Sequence, residues 1–236
     1  MEFLNNMFYW GLSYQNIVDM FILDEQDLSK HILDCMGAPS SFNAIAHEKG
    51  QHVVSYADVY GSSKDEIQIK MNDALRQTMM IIEENPERFV ASAIDTPNAY
   101  EEELKANLKI FMHDYNHAIK QKRYLPESLP MLEFANCEFN LVLCRHFLFV
   151  HNENFSLDFH IESIKEMCRV AGEVRIFPLL NAEGHVSEKL PIVMQHLQEQ
   201  GYDVEIRKVH YEVQKGANAM LRVWQQECMF GGPGKR

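Results

Sequence analysis

His31-Ile32-Leu33-Asp34-Cys35-Met36-Gly37-Ala38-Pro39-Ser40-Ser41-Phe42-Asn43-Ala44 is an apolar run ended by an acid, then a turn with Gly37 and Pro39, then the start of a helical pattern. A short apolar run bounded by turn residues predicts a buried strand, and Ser41 to Lys49 predicts a helix closed by Gly50. Val53-Val54-Ser55-Tyr56 predicts a second strand that ends at Ala57-Asp58. The alternation returns later: a fully buried strand over Phe139-Asn140-Leu141-Val142-Leu143-Cys144, a helix from Phe159 to Val170, a strand over Glu173 to Pro178, and a helix from Glu188 to Gln200 closed by Gly201. Val204 to Val209 and Ala219 to Trp224 complete the pattern as an antiparallel pair joined around Gly216. Strands that alternate with helices form parallel βαβ units, so the expected fold is a Rossmann-like, doubly wound, mostly parallel α/β sheet with a reversed edge strand.

Two segments stand outside this alternation. Residues 1–29 form a helical lead-in, with Tyr14, Ile17, Val18, Phe21 and Ile22 on one face and Ser13 as its cap. Residues 63–120 are almost wholly helical, carry Ile67, Met71, Leu75, Met79 and Ile82 at helical spacing, and are punctuated by Pro86 and Pro97. That insertion is too long for a minimal crossover and is expected to cap the sheet. Met71, Met79 and Met80 are expected to fill the interface between cap and sheet, and Glu101-Glu102-Glu103 to form the solvated first turn of a helix.

Composition narrows the function classes. At 236 residues, 46% of them hydrophobic, the chain suits one domain over 1–236 with a substantial core. A glycine-rich stretch, Gly231 to Arg236, forms a short tail. A formal charge of −12 argues against a nucleic-acid ligand, because such binders concentrate Lys and Arg against phosphates. Cys35, Cys137, Cys144, Cys168 and Cys228 form no CxxC pair, and their odd number points to reduced thiols in a cytoplasmic protein without a metal. The longest apolar run, Phe147 to Val150, is far short of the roughly 20 residues that cross a bilayer. The histidines show no HExxH spacing.

In an open α/β sheet, ligands lie beyond the carboxyl ends of the strands where strand order switches, which directs attention to the turns after Asp34, Tyr56 and Cys144. A dinucleotide wants Gly-x-Gly-x-x-Gly there, and this turn has a single glycine, so a nicotinamide cofactor is disfavoured. S-adenosylmethionine instead presents an ammonium suited to a strand-end carboxylate and ribose hydroxyls suited to an acceptor after the second strand, which Asp34 and Asp58 are placed to supply. A competing reading has Asp34 and Ser40 simply capping the next helix.

The chain resembles a bacterial family of class I S-adenosylmethionine-dependent methyltransferases, from about Trp10 to Val223. The resemblance is carried by Trp10-Gly11 with Tyr14, Ile32-Leu33-Asp34-Cys35 with Pro39-Ser40-Ser41-Phe42, Arg123-Tyr124, Phe139 to Cys144 with His146-Phe147-Leu148-Phe149, Glu173 to Leu179, and Tyr211 to Asn218. It implies a cofactor site built from Trp10, Tyr14, Asp34, Cys35, Gly37, Pro39, Ser40, Asp58, Cys144 and Arg145. It also implies methyl transfer to a small-molecule or protein acceptor, with His146 as the base that takes a proton. His146 reads equally well as a residue that orders its turn, and Cys144 as a packed thiol.

The departures fall in the same turns. Met36 and Ala38 stand where the family has glycines, Ala57 stands where the second strand would end in an acid, and Asn140 and Arg145 replace an acid and a small polar residue. A side chain at a position needing φ > 0 costs on the order of 1–2 kcal/mol, and Arg145 brings positive charge to the crevice mouth. The alternative function is therefore a binding or regulatory protein that kept the fold and lost the reaction.

Overall fold

The computed structural model describes residues 10–126 and 128–225; the tail 231–236, Cys228 and the first nine residues of the lead-in lie outside them. Seven strands form one sheet: β1 (His31–Cys35), β2 (His52–Tyr56), β3 (Tyr124–Leu125), β4 (Phe139–Arg145), β5 (Ala171–Phe177), β6 (Asp203–Lys208) and β7 (Ala219–Trp224). Their order is β3-β2-β1-β4-β5-β7-β6. The β1–β2, β1–β4, β2–β3 and β4–β5 pairs are parallel, and β7 runs antiparallel to both β5 and β6. The fold is thus the Rossmann-like, mostly parallel arrangement expected, and the reversed strand of the closing pair is β7, inserted between β5 and the edge strand β6. β3, only two residues long, carries too few residues to show a sequence period.

Burial explains why β1 and β4 are central. Ile32, Leu33 and Cys35 and then Leu141, Val142, Leu143 and Cys144 are all buried, as parallel strands covered on both faces require. On one face lie Leu33, Cys35, Val142 and Cys144 with α6 (Leu157–Val170) and α7 (Lys189–Glu199). On the other lie Ile32, Leu141 and Leu143 with α1 (Tyr14–Phe21) and α3 (Phe42–Glu48). Helix α1 starts where expected, with Ser13 and Asn16 forming a reciprocal capping box. The insertion is two helices, α4 (Lys64–Glu84) and α5 (Pro97–Lys120), packed together with Trp10, Tyr60 and Tyr124. Met71 and Met79 are buried in that layer, but Met80 is half exposed and not an interface residue, because it falls on the outer face of α4. The acidic triplet lies a turn inside α5, not at its start, and Glu101 and Glu102 pair with Lys105.

The lead-in is tied down by charge as well as by packing. The short helix α2 (Glu25–Leu28) presents Asp27 to Arg175 of β5 at 2.8 Å, and Arg175 donates at 2.7 Å to Glu173, which also accepts from Arg222 of β7 at 2.7 Å. Burial raises the Asp27 carboxyl, but its bonds to Arg175 and Lys30 outweigh that and hold it below its ordinary range. Of the cysteines, Cys35, Cys144 and Cys168 are free, whereas Cys137 is disulfide-bonded, which corrects the expectation that all are reduced thiols. No helix among the described residues is long and apolar enough to cross a membrane, and no cluster of His, Cys, Asp and Glu among them is arranged for a metal.

A depressed folded pKa gives stability that is present above the unfolded carboxyl value near 4 and lost as pH falls below it. Asp27→Ala strands the buried Arg175 and should cost about 3–5 kcal/mol in urea unfolding. Asp27→Asn should flatten the loss of stability below pH 4 relative to the parent.

Candidate functional site

Strand order switches between β1 and β4, so the crevice lies over the turns that follow Cys35 and Arg145. Asp34 and Leu143 are register partners, and Leu143 and Arg145 share a face two residues apart, so Asp34 and Arg145 point to the same side of the sheet. They meet there. Arg145 donates through Nε to Asp34 Oδ1 at 2.9 Å and through Nη2 to Oδ2 at 3.2 Å, and both side chains are only 1% exposed. The same Nη2 reaches the carbonyl of Ala38 at 2.6 Å and Ser40 Oγ at 3.2 Å. Nη1 is buried and makes no hydrogen bond among the described residues. Burial works against the guanidinium charge, but Asp34 more than offsets it and keeps Arg145 protonated above its ordinary range.

The carboxylate is held from behind by a relay that reaches the cap. Ser55 Oγ donates to Asp34 Oδ2 at 3.1 Å and accepts from Asn43 Nδ2 at 3.0 Å. Asn43 Oδ1 accepts from Arg123 Nη1 at 2.6 Å, and Arg123 forms a forked pair with Asp114 of α5. Every partner of Asp34 is thus part of the chain itself, and the hollow expected in front of it is filled by Arg145. That is the main correction to the sequence reading, with a simple cause: an arginine at the end of β4 is long enough to reach the acid at the end of β1. Asp34 does not cap α3, whereas Ser40 Oγ accepts from the amide of Phe42, its first residue, at 3.4 Å; Ser41 holds the cap position without a side-chain bond.

Gly37 is the residue that lets this pair form. A Cβ on it would stand 2.6 Å from Arg145 Nη2 and 2.6 Å from Asp34 Oδ2. Tyr60 Oη donates to the Gly37 carbonyl at 2.8 Å, and the Tyr60 and Tyr124 rings meet at a tilt with centroids 4.7 Å apart, with Tyr124 Oη buried and unbonded among the described residues. Sequence reading missed both tyrosines because their role depends on β3 pairing with β2. Of the two replaced glycines, Met36 has φ 57° and therefore carries the left-handed strain of about 1–2 kcal/mol, whereas Ala38 does not lie at positive φ. The Met36 side chain packs against the core cluster of Cys35, Tyr56 and Cys144.

The remaining expected site residues are dispersed. Asp58 is exposed, in a 3₁₀ turn, and Ala57 directly follows β2 at the start of that turn. Trp10 is buried in the cap layer, and Gly11 N–H donates to the Pro39 carbonyl at 2.9 Å, so the lead-in lies across the first turn. Tyr14 has its hydroxyl on Gln51 and its ring against Phe42, and its amide on Ser41 Oγ. Cys35 and Cys144 are register partners; burial raises both thiols, Cys144 to about 12, which rules out a thiolate nucleophile at neutral pH. His146 has φ 53°, its amide donates to the Phe177 carbonyl at 2.6 Å, and its ring meets Phe177 edge-on. Burial, then Arg145 and His151, push its pKa well below the ordinary histidine range, so it is neutral. It lines a cavity of about 20 Å³, room for roughly one water.

Asp34 has the right charge for the ammonium of S-adenosylmethionine, yet its oxygens already hold a cation, no acid ends β2, and the neighbouring cavity is water-sized. In this conformation the residues do not fit the nucleoside.

No family model matches the chain. It is 31% identical over 214 residues to the uncharacterized protein MJ0045 of Methanocaldococcus jannaschii, covering 89% of this chain and 93% of that protein. Among solved structures, that of TnmH aligns over 89% of this chain and 54% of its own, at 8% identity and a TM-score of 0.46. A precorrin-6y C5,15-methyltransferase from Geobacter metallireducens GS-15 aligns over 90% and 86%, at 11% identity and a TM-score of 0.41. At such scores nothing about the site is transferred from them.

Gly37→Ala should cost about 1–3 kcal/mol in urea unfolding by overpacking the ion pair, while Ala38→Gly should cost under about 1 kcal/mol. A histidine with a depressed folded pKa stabilises above its unfolded value near 6.5, and that share is lost as pH falls below it. His146→Gln should therefore flatten the pH dependence of stability between pH 6.5 and 5.

Proposed function

We propose, from the premise that this chain belongs to the family of the uncharacterized protein MJ0045 of M. jannaschii, that it is a methyltransferase-fold protein that acts by binding rather than by methyl transfer. Its crevice is closed by its own Arg145. The observation that carries this reading is the fully buried, forked pair between Arg145 and Asp34: the carboxylate that an S-adenosylmethionine ammonium would use is neutralised from within. Separating a buried pair costs about 3–5 kcal/mol when one charge is left without a partner. Spread over binding, that lowers affinity between roughly 100- and a few thousand-fold, which takes a micromolar ligand to about the millimolar range. The loss of the acid at the end of β2 works in the same direction, since a hydrogen bond to a charged group is worth about 1.5–3 kcal/mol.

A second reading has one observation in its favour. Asp34 still selects a cation, Ser40 still faces it, and His146 is neutral and in its base form at the end of the adjacent strand. In that reading the chain is a methyltransferase for an unidentified small-molecule or protein acceptor, and Arg145 is a latch that must leave Asp34 first. Asp34 would then hold the ammonium and His146 would accept the acceptor's proton, with positioning supplying most of the acceleration.

Calorimetric titration with S-adenosylmethionine separates the two. The parent protein should give no saturable heat up to about millimolar cofactor, and Arg145→Ser should bind at least tenfold more tightly even though it is less stable. Binding by the parent at micromolar cofactor supports the latch; no binding by either protein places the defect at Met36 and Ala57 instead.

A further inference from the structure

β6 is the edge of the sheet, and no strand among the described residues pairs with its outer side. It runs over Asp203-Val204-Glu205-Ile206-Arg207-Lys208 in unbroken register with β7, without a bulge or a proline. One step beyond the last strand pair, Val209 N–H donates to the Asn218 carbonyl at 2.9 Å, which fixes the phase of the ladder. In an antiparallel pair alternate residues turn their backbone groups to the same neighbour. Asp203, Glu205 and Arg207 therefore bond β7, and the N–H and C=O groups of Val204, Ile206 and Lys208 point away from the sheet. Such a row is a template for another strand unless a bulge, a proline or extreme shortness blunts it, and this edge carries only charges.

The side chains alternate too. Val204 packs with Leu221 and Val223 in the core layer of α7, so Ile206 and Lys208 share that face, where Ile206 is 48% exposed. Glu205 and Arg207 lie on the other face. Glu205 accepts from Arg222 of β7 at 2.9 Å, whereas Arg207 is exposed and has no ion pair among the described residues.

Together these alternations fit one partner strand, which is β6 itself turned antiparallel. Outward backbone groups meet only when Val204, Ile206 and Lys208 oppose the same set on the second copy. With Ile206 opposite Ile206, Val204 opposes Lys208 and Glu205 opposes Arg207, each twice by the two-fold symmetry. A slide of one step in either direction sets Glu205 against Glu205 or Arg207 against Arg207, and like charges directly opposite are destabilising. Exposed ion pairs add little affinity, so the charges choose register and partner, while backbone bonds and cover for Ile206 hold the copies together. The two-fold axis stands perpendicular to the sheet, so both α7 helices, each packed on its own β6, lie on one side of the seam.

We infer that β6 is a self-recognition edge, through which two copies of this chain join into one continuous sheet about a two-fold axis at Ile206. β5 and β7 separate the seam from the crevice, so the inference goes beyond the reading of that site and stands with either form of it.

Sedimentation equilibrium of the full chain tests it. The parent should be dimeric at about 50 µM. Ile206→Pro removes an N–H that faces outward, a place where an edge strand tolerates proline, and should be monomeric with thermal unfolding close to the parent's. Arg207→Glu and Glu205→Arg should each self-associate at least tenfold more weakly than the parent, by opposing like charges. An equimolar mixture of those two variants should dimerise within about threefold of the parent, because the mixed dimer again opposes an acid to a base at both positions. A parent that stays monomeric, with its edge covered by its own carboxyl-terminal segment or kept for a different partner, overturns the inference. So does a dimer that survives in a folded Ile206→Pro protein, or a mixture no tighter than its components.

Discussion

A guanidinium buried against a carboxylate sets the character of this molecule. Neither charge tolerates burial alone, so Asp34 and Arg145 fix each other, and together they fix the turn between β1 and α3 through the Ala38 carbonyl and Ser40. Ser55, Asn43, Arg123 and Asp114 extend the constraint to α5, so the cap and the crevice floor form one hydrogen-bonded body. Gly37 is compulsory within it, because any side chain would collide with the pair. The mostly parallel α/β sheet keeps its crevice at the switch between β1 and β4, and the carboxylate there is paired from within.

Much of this was legible in the sequence, for identifiable reasons. β1 and β4 are covered on both faces and read as short apolar runs, Ile32-Leu33 and Leu141 to Cys144; α1 and α4 begin at serines with complete capping boxes. The antiparallel β6–β7 pair was visible through its length and its loop at Gly216. β3 was not, because two residues show no period and their pairing with β2 is decided by the cap that precedes them. The Asp27–Arg175–Glu173–Arg222 network was equally hidden, since each partner comes from a different element.

The site shows the same division between local and long-range information. Asp34, Gly37, Ser40, Arg145 and His146 were all singled out, and the structure brings the first four into contact. Their relation was missed: Arg145 was read as charge at the crevice mouth rather than as the partner of an acid 111 residues away. The register was the available signal, because two parallel strands that pair Asp34 with Leu143 place Arg145 on the side of the acid. Trp10 and Tyr14 were assigned by resemblance and Asp58 by its place after the second strand; the structure uses Trp10 and Tyr14 for packing and leaves Asp58 exposed. Whether Met36 or Ala38 carries strain was undecidable from composition, and the backbone assigns it to Met36 alone.

The central claim is that Arg145 stays on Asp34 when the nucleoside is offered. The Nε–H resonance of Arg145, assigned through its loss in Arg145→Lys, reports that bond directly by NMR. The account predicts a slowly exchanging signal whose position does not change with S-adenosylmethionine up to about millimolar concentration. A saturable shift or disappearance of that signal as the nucleoside is added would contradict it.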